Sequence, residues 1–395
     1  MAELRAVLTT REVPTLLITT LVGRLPTAMA VPAVLLLVRG QGGDYALAGV
    51  LAALFTAGYA AGQPAAARVV DRRGQSLVLL VAVVVSTAAF LVLSLAGVRH
   101  PAVSAAAAAV AGLGTPPLEP CLRAVWPHVV PDGPVLSAAF SLDVGVQEII
   151  FVIGPLLAVA GVTLFGHAGG VAACAGFGLA GTVGMASTRA SRGWAPAPRD
   201  PGSRGSPVRH AALRRVFAVA LAVAVPVGAL PIVAAAFAQQ HGDASITGWA
   251  LAANAAGALA SGLYGAARPV ERPGRRLLLG AGLALAVGYL PLSLPVPAGA
   301  WLAFAALSGL ALPVVLSVVF QRVRLISPAG LLTEANAWVV TAFGLGAAAA
   351  SLAAGLVTDQ LPARAAIPAV IVGASLITAT VCGLASRVGA ADQPR

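Results

Sequence analysis

The chain has 395 residues, 58% of them hydrophobic and 10% charged, with a mean hydropathy of +0.90. A soluble domain of this length needs far more polar surface, so the composition excludes a soluble globular protein and points to a chain that crosses a membrane many times. The net charge of +11 and pI of about 11.2 would fit a nucleic-acid partner, but the charge sits between apolar runs, where it sets topology instead.

Apolar runs long enough to cross a bilayer, about 20 residues as a helix, recur from end to end. The first, from about Val13 to Val38, exceeds the roughly 7–15 apolar residues of a signal peptide and reads as a retained span. Breaks at charged, Gly- and Pro-rich positions give predicted spans at 13–38, 45–67, 76–97, 101–123, 137–160 and 168–188. Six more follow at 214–238, 245–267, 277–296, 299–320, 332–356 and 365–387. Between the sets, 189–213 is rich in Pro, Gly, Ser and Arg, as a cytoplasmic linker would be. The predicted organisation is an N-terminal six-helix bundle over 1–188, a linker over 189–213 and a C-terminal six-helix bundle over 214–395. Ala- and Gly-rich faces suit close helix packing in lipid.

With both termini inside, 21 of the 25 Arg fall in inner segments. Arg39, Arg99 and Arg364 fall outside, and Arg24 within the membrane. That asymmetry predicts cytoplasmic termini in the cell membrane and removes any need for a nucleic-acid partner. The linker arginines could also meet lipid headgroups. Cys121, Cys174 and Cys382 lie in apolar runs without metal-ligand spacing, so neither disulfides nor a metal site is expected. Trp126, Trp194, Trp249, Trp301 and Trp338 mostly stand near span ends, as an aromatic belt would.

Shifting the chain by 200 residues lays "GQPAAARVVDRRGQSLVL" (Gly62 to Leu79) over "GLYGAARPVERPGRRLLL" (Gly262 to Leu279), with nine identities in eighteen positions. Asp71 meets the acid Glu271, Arg72 meets Arg272 and Gly74 meets Gly274. Equal span counts on either side give the two halves the same orientation, a parallel repeat of the kind that holds a substrate site between bundles. On these residues the chain resembles the major facilitator superfamily over essentially its whole length. The resemblance implies an all-α membrane protein with twelve transmembrane helices. The family signature between spans 2 and 3 is a Gly, three residues, then Asp-Arg/Lys-x-Gly-Arg/Lys. Asp71, Arg72 and Gly74 match it, whereas Ala67 replaces the leading Gly and Gln75 the trailing basic residue. The resemblance implies a gate in which Asp71 helps hold an outward-open state; the alternative is that Arg72 and its neighbour Arg73 only fix topology. Gly154-Pro155 in span 5 weakly resembles a motif of drug–proton antiporters in the superfamily and reads equally as an ordinary kink.

Ionisable groups inside spans are costly unless paired or hydrated, which makes Arg24, Glu119, Arg123, Asp143 and Glu148 functional candidates. Arg24 and Glu148 each lie about 16 Å from the inner ends of their spans, and the resemblance implies that spans 1 and 5 are neighbours, so an Arg24–Glu148 ion pair is expected. Glu119 and Arg123, spaced i, i+4, can pair along their own helix. Asp143 shares a face with Gln147 and points away from Glu148. The five charges form either a proton-coupling site or a buried network that locks the N-terminal bundle, with direct substrate binding a third possibility. Arg24, Glu119, Gln147 and, in the second half, Asn254 are the candidates for a substrate cavity. Asn254 reads equally as a hydrogen bond between helices.

The expected activity is secondary active transport of a small organic molecule by alternating access, as proton-coupled efflux by a monomer without cofactor or metal. No nucleotide-binding loop or nucleophile–base cluster is present, and the chain lacks Lys altogether, so neither ATP drive in cis nor an enzyme is expected. The alternatives are a proton symporter or facilitator for a sugar or metabolite, and a non-transporting membrane sensor or scaffold.

Overall fold

The computed structural model describes residues 2–196, 206–243, 245–268 and 275–388. A short helix α1 (Ala2–Thr9) precedes α2 (Val13–Gly40), α3 (Tyr45–Arg73), α4 (Gln75–Ala96), α5 (Pro101–Leu113), α6 (Leu118–Val129), α7 (Pro134–Phe165) and α8 (Gly169–Ser187). The one-turn α9 (Arg189–Gly193) leads to α10 (Ala211–His241), α11 (Ser245–Ala267), α12 (Arg275–Tyr289), α13 (Ala298–Gly309), α14 (Leu312–Ile326), α15 (Leu332–Gln360) and α16 (Ala363–Val388). Counting α5–α6 and α13–α14 as one crossing each, the helices make twelve crossings. Nine of them are long and apolar enough to span by composition alone among the described residues. The others are α3 and α11, diluted by Ala and Gly, and the broken α5–α6.

The fourth and tenth crossings depart from the single helices expected at 101–123 and 299–320. Each is two helices joined at mid-length, around Gly114–Pro117 and around Leu310–Ala311. The physical reason lies in the sequence: Pro116 and Pro117 have no N–H to donate and force the residues before them out of the α region. Pro313 stands in the first turn of α14, where a proline is tolerated. Both inner pieces also run further than expected, to Val129 and Ile326.

Helices before the linker pack mainly on one another, α2 on α8 and α7, and α3 on α5. Those after it do likewise, α10 on α15 and α16, and α11 on α13. The two sets meet through α7 on α11, α3 on α15, α6 on α15 and α14 on α7. These contacts gather at the end of the bundle that carries the Arg68–Arg73 turn and the linker, here called the linker end. The α7–α11 crossing is glycine on glycine: a Cβ on Gly145 would come within 2.8 Å of the Gly262 Cα. One apolar cluster runs through both sets and takes in Val70, Leu79, Cys121 and Phe140. A second, around Met29, Phe55, Phe90 and Cys174, belongs to the first set alone.

Two of the expected belt tryptophans are in the core instead. Trp126 and Trp301 are fully buried, and the Trp301 ring stacks on Phe237 at 4.4 Å between centroids. A position near a helix end is not an interfacial one when the helix end is covered by its neighbours. Trp249 alone of the five is largely exposed. The three cysteines are buried and free.

Candidate functional site: a buried charge ring and the linker-end gate

Four of the five charges expected inside the membrane close into a ring. Arg24 on α2 reaches Glu119 Oε2 at 2.7 Å and Asp143 Oδ1 at 3.4 Å. Arg123 donates from Nε to Asp143 Oδ2 at 2.9 Å and from Nη1 to Glu119 Oε1. Each arginine thus holds both acids, each acid both arginines, and the net charge of the four is zero. All four side chains are buried. The break in the fourth crossing makes this geometry: α6 restarts at Leu118, so Glu119 lies in its first turn, at the positive end of the helix dipole, with Arg123 one turn on. The expected pairing along α6 is present.

The expected Arg24–Glu148 pair is not formed. Arg24 is taken by Glu119 and Asp143, and Glu148 makes no hydrogen bond or ion pair among the described residues. Equal depth was a necessary condition and not a sufficient one; the side chain five residues along α7 points roughly 140° away from Asp143, and the ring faces Asp143. Glu148 is half-buried. Beside it, the Gln147 carbonyl Oε1 is buried without a hydrogen-bond partner. Asn254 is engaged within the second set of helices, donating to Ser308 Oγ at 2.9 Å and lying 3.4 Å from Tyr289 Oη.

At the linker end, Gly74 makes the turn that the motif needs. Its φ of +90° is open to glycine and strained for other residues, and it lets α3 stop at Arg73 and α4 start at Gln75. Arg68–Arg73 project beyond the apolar run of α3, which ends near Ala67. There Asp71, buried against α15, accepts from the backbone N–H of Glu334 at 2.8 Å and of Thr333 at 3.1 Å. A carboxylate at a helix N-terminus satisfies orphan donors and meets the positive end of the helix dipole. Burial pushes the Asp71 carboxyl up to about 6, despite the opposing pull of those hydrogen bonds. Arg68 forms a two-pronged bridge to Glu334, from Nη2 at 2.7 Å and Nε at 3.1 Å. Ser206, at the end of the linker, donates to the same carboxylate at 2.8 Å. Arg324 pairs with Asp132 at 2.5 Å, Gln321 donates to Ser137 at 3.2 Å, and Ser141 faces Ser317 at 3.4 Å. Arg72 is exposed. The repeat positions Glu271, Arg272 and Gly274 lie outside the described residues.

Glu334, Arg68 and Phe320 escaped the sequence reading. Glu334 stands in the first turn of its crossing, where an acid looks like a helix-end residue rather than an intramembrane one. Only the fold sets it at the start of α15, beside Asp71 and within reach of Arg68. Phe320 looked like one more apolar residue, yet its ring lies 3.4 Å from the Arg123 guanidinium carbon.

Among curated proteins, none matches the sequence. Solved structures do match the fold. The human organic anion transporter MFSD10 (TETRAN) aligns with a TM-score of 0.73 at 15% identity, covering 96% of this chain and 99% of that one. A bacterial homologue of the iron transporter ferroportin, in an outward-facing state, aligns at 0.72 and 17% identity over 94% and 98%. The E. coli fucose:proton symporter FucP aligns at 0.72 and 11% identity over 96% and 98%. The Major Facilitator Superfamily family model matches residues 16–230, more than half of the chain. With the twelve crossings in two sets and the Asp71–Gly74 turn seated on α15, that match makes the chain a member of the Major Facilitator Superfamily of membrane transporters.

Proposed function

We propose that the protein exports a small organic molecule that carries a cationic group, in exchange for protons, by alternating access. The observation that carries this reading is the contrast between the ring and Glu148. Arg24, Glu119, Arg123 and Asp143 neutralise one another, whereas Glu148, about one and a half turns along α7 from Asp143, makes no hydrogen bond or ion pair among the described residues and feels Arg24 only at longer range. An unpaired carboxylate at this depth costs several kcal/mol, roughly 2.5 or more, unless a proton or a cationic group neutralises it. One carboxylate that takes either a proton or a cation, but not both, is sufficient for obligatory exchange. In this reading the linker end is cytoplasmic, which the arginine distribution supports. The closed linker end then corresponds to an outward-facing state, with Asp71, Arg68 and Glu334 as its latch. The halves 1–188 and 214–395 rock about the α7–α11 and α3–α15 contacts, and the protein works as a monomer in the cell membrane.

The test uses proteoliposomes that report internal pH under an imposed gradient, challenged with organic cations, organic anions and sugars. Cation-triggered proton flux that disappears in Glu148→Gln is expected, with Asn254→Ala retaining it. Flux triggered by sugars or anions moving with the protons would replace export by symport. Binding without any flux would leave a sensor.

A further inference from the structure

The cytoplasmic-side helix of the tenth crossing, α14, presents one stripe to the other half. Ser317, Phe320, Gln321 and Arg324 are spaced i, i+3, i+4 and i+7, and so share a face. Each residue of that stripe has a partner before the linker: Ser141, Arg123, Ser137 and Asp132 in turn. Of the polar contacts, Ser141–Ser317 and Ser137–Gln321 are buried and uncharged, and the Arg324–Asp132 pair is exposed. The fourth is different. Phe320 is 2% exposed and Arg123 is 1% exposed, and the guanidinium carbon sits 3.4 Å from the ring centroid. Arg123 uses Nε and Nη1 on the acids of the ring, while Nη2 is buried with no hydrogen-bond partner. On that side the charge meets an aromatic face, whose quadrupole attracts a desolvated cation far more strongly than an exposed one.

The geometry points to Phe320 as the positioning residue through which the charge ring of the first half holds the linker end closed. Arg123 belongs to both structures: two of its nitrogens complete the ring, and its face completes the contact between halves. Opening the linker end must separate Phe320 from Arg123 and leave a buried guanidinium without its π partner. Conversely, any event that turns Arg123 away, such as loss of Glu119 or Asp143 as an acceptor, loosens the gate some distance from Asp71. The groups around Arg123 are Glu119 on its own helix, Arg24 on α2, Tyr59 on α3 and Asp143 on α7. On α15 the nearest acid, Glu334, is held by Arg68. The inference rests on alternating access and not on the choice of coupling ion.

The experiment places spin labels at Arg73→Cys and Ala329→Cys, exposed on opposite sides of the linker end, and reads the distance distribution; the native cysteines are buried. Phe320→Leu keeps an apolar side chain of similar bulk and removes the π face, and is expected to raise the open-to-closed ratio roughly tenfold or more. Phe320→Tyr keeps the face and is expected to leave the ratio near wild type. In Glu119→Gln, where Arg123 is already loosened, adding Phe320→Leu is expected to change the ratio far less than it does alone. Leu and Tyr variants that behave alike, or effects that multiply independently with Glu119→Gln, overturn the inference. Asp71→Ala serves as the control: if it opens the linker end while Phe320→Leu does not, the inference fails and alternating access stands. If no variant opens it, the transport reading fails as well.

Discussion

Arg24 shows what a single residue does when its partners are chosen by geometry rather than by depth. Removing it leaves Glu119 and Asp143 sharing one arginine, an uncompensated buried charge that costs about 3–5 kcal/mol in buried ion networks. Arg24→Ala is therefore expected to lower the detergent melting temperature sharply. Arg24→Met combined with Asp143→Leu leaves the neutral Arg123–Glu119 pair and is expected to recover most of the loss. Equal melting of the single and double variants would show that the ring carries no net electrostatic load. Asp71 makes a second argument at this scale. Its carboxyl titrates near 6 in the closed gate and would fall to the ordinary value of about 4 once wetted. The closed state therefore binds the proton more tightly, so Asp71 favours closure below about pH 4 and loses that contribution as pH rises through about 6. The difference in closed fraction between pH 4 and 7 is expected to shrink in Asp71→Asn, as read by distances across the linker end. An unchanged difference would assign the pH response to other groups.

Among the helices, α7 and α11 bring the two halves together at a crossing with no side chain between the backbones. Gly145 and Gly262 let α7 and α11 touch backbone to backbone, and Gly262 already stood out in the sequence as one side of the 200-residue repeat. Gly262→Val would push a branched side chain into the Gly145 backbone. It is expected to populate the state open at the linker end without unfolding either bundle, seen as faster thiol labelling of Ser317→Cys, a position buried between the halves. Labelling at the wild-type rate would mean that this crossing does not hold the closed state. The helices themselves were legible because length and hydropathy alone demand them, and the Asp71–Gly74 turn because only glycine serves there. The two broken crossings were written in the sequence as well, in "GLGTPPLEP" and "GLALPVV", but apolar length hid them. Pairings such as Arg24 with Asp143, or Arg123 with Phe320, join residues 119 and 197 apart and depend on helix rotation, which no local pattern records.

At the scale of the whole molecule, alternating access means that the contacts now at the linker end must all break together. Ser141 and Ser317 offer a direct way to forbid it, because their hydroxyls face each other at 3.4 Å across the two halves. Replacing both with cysteine sets two thiols where the hydroxyls now meet, so a small side-chain rotation brings the sulfurs to the roughly 2.05 Å of a disulfide, while the three native cysteines remain buried in the helices. Oxidation of the Ser141→Cys/Ser317→Cys protein in proteoliposomes is expected to abolish substrate-driven flux, and reduction to restore it. The single variants should be indifferent to both treatments. A cross-linked protein that still transports would mean that the halves do not separate here during the cycle. Rocking about α7–α11 and α3–α15 would then give way to a mechanism confined to the other end of the bundle. Loss of flux that reduction reverses would instead identify the closed linker end as one of the two states that the transporter must visit. It would also make the Asp71, Glu334 and Arg123–Phe320 contacts part of a barrier that every substrate molecule has to wait for.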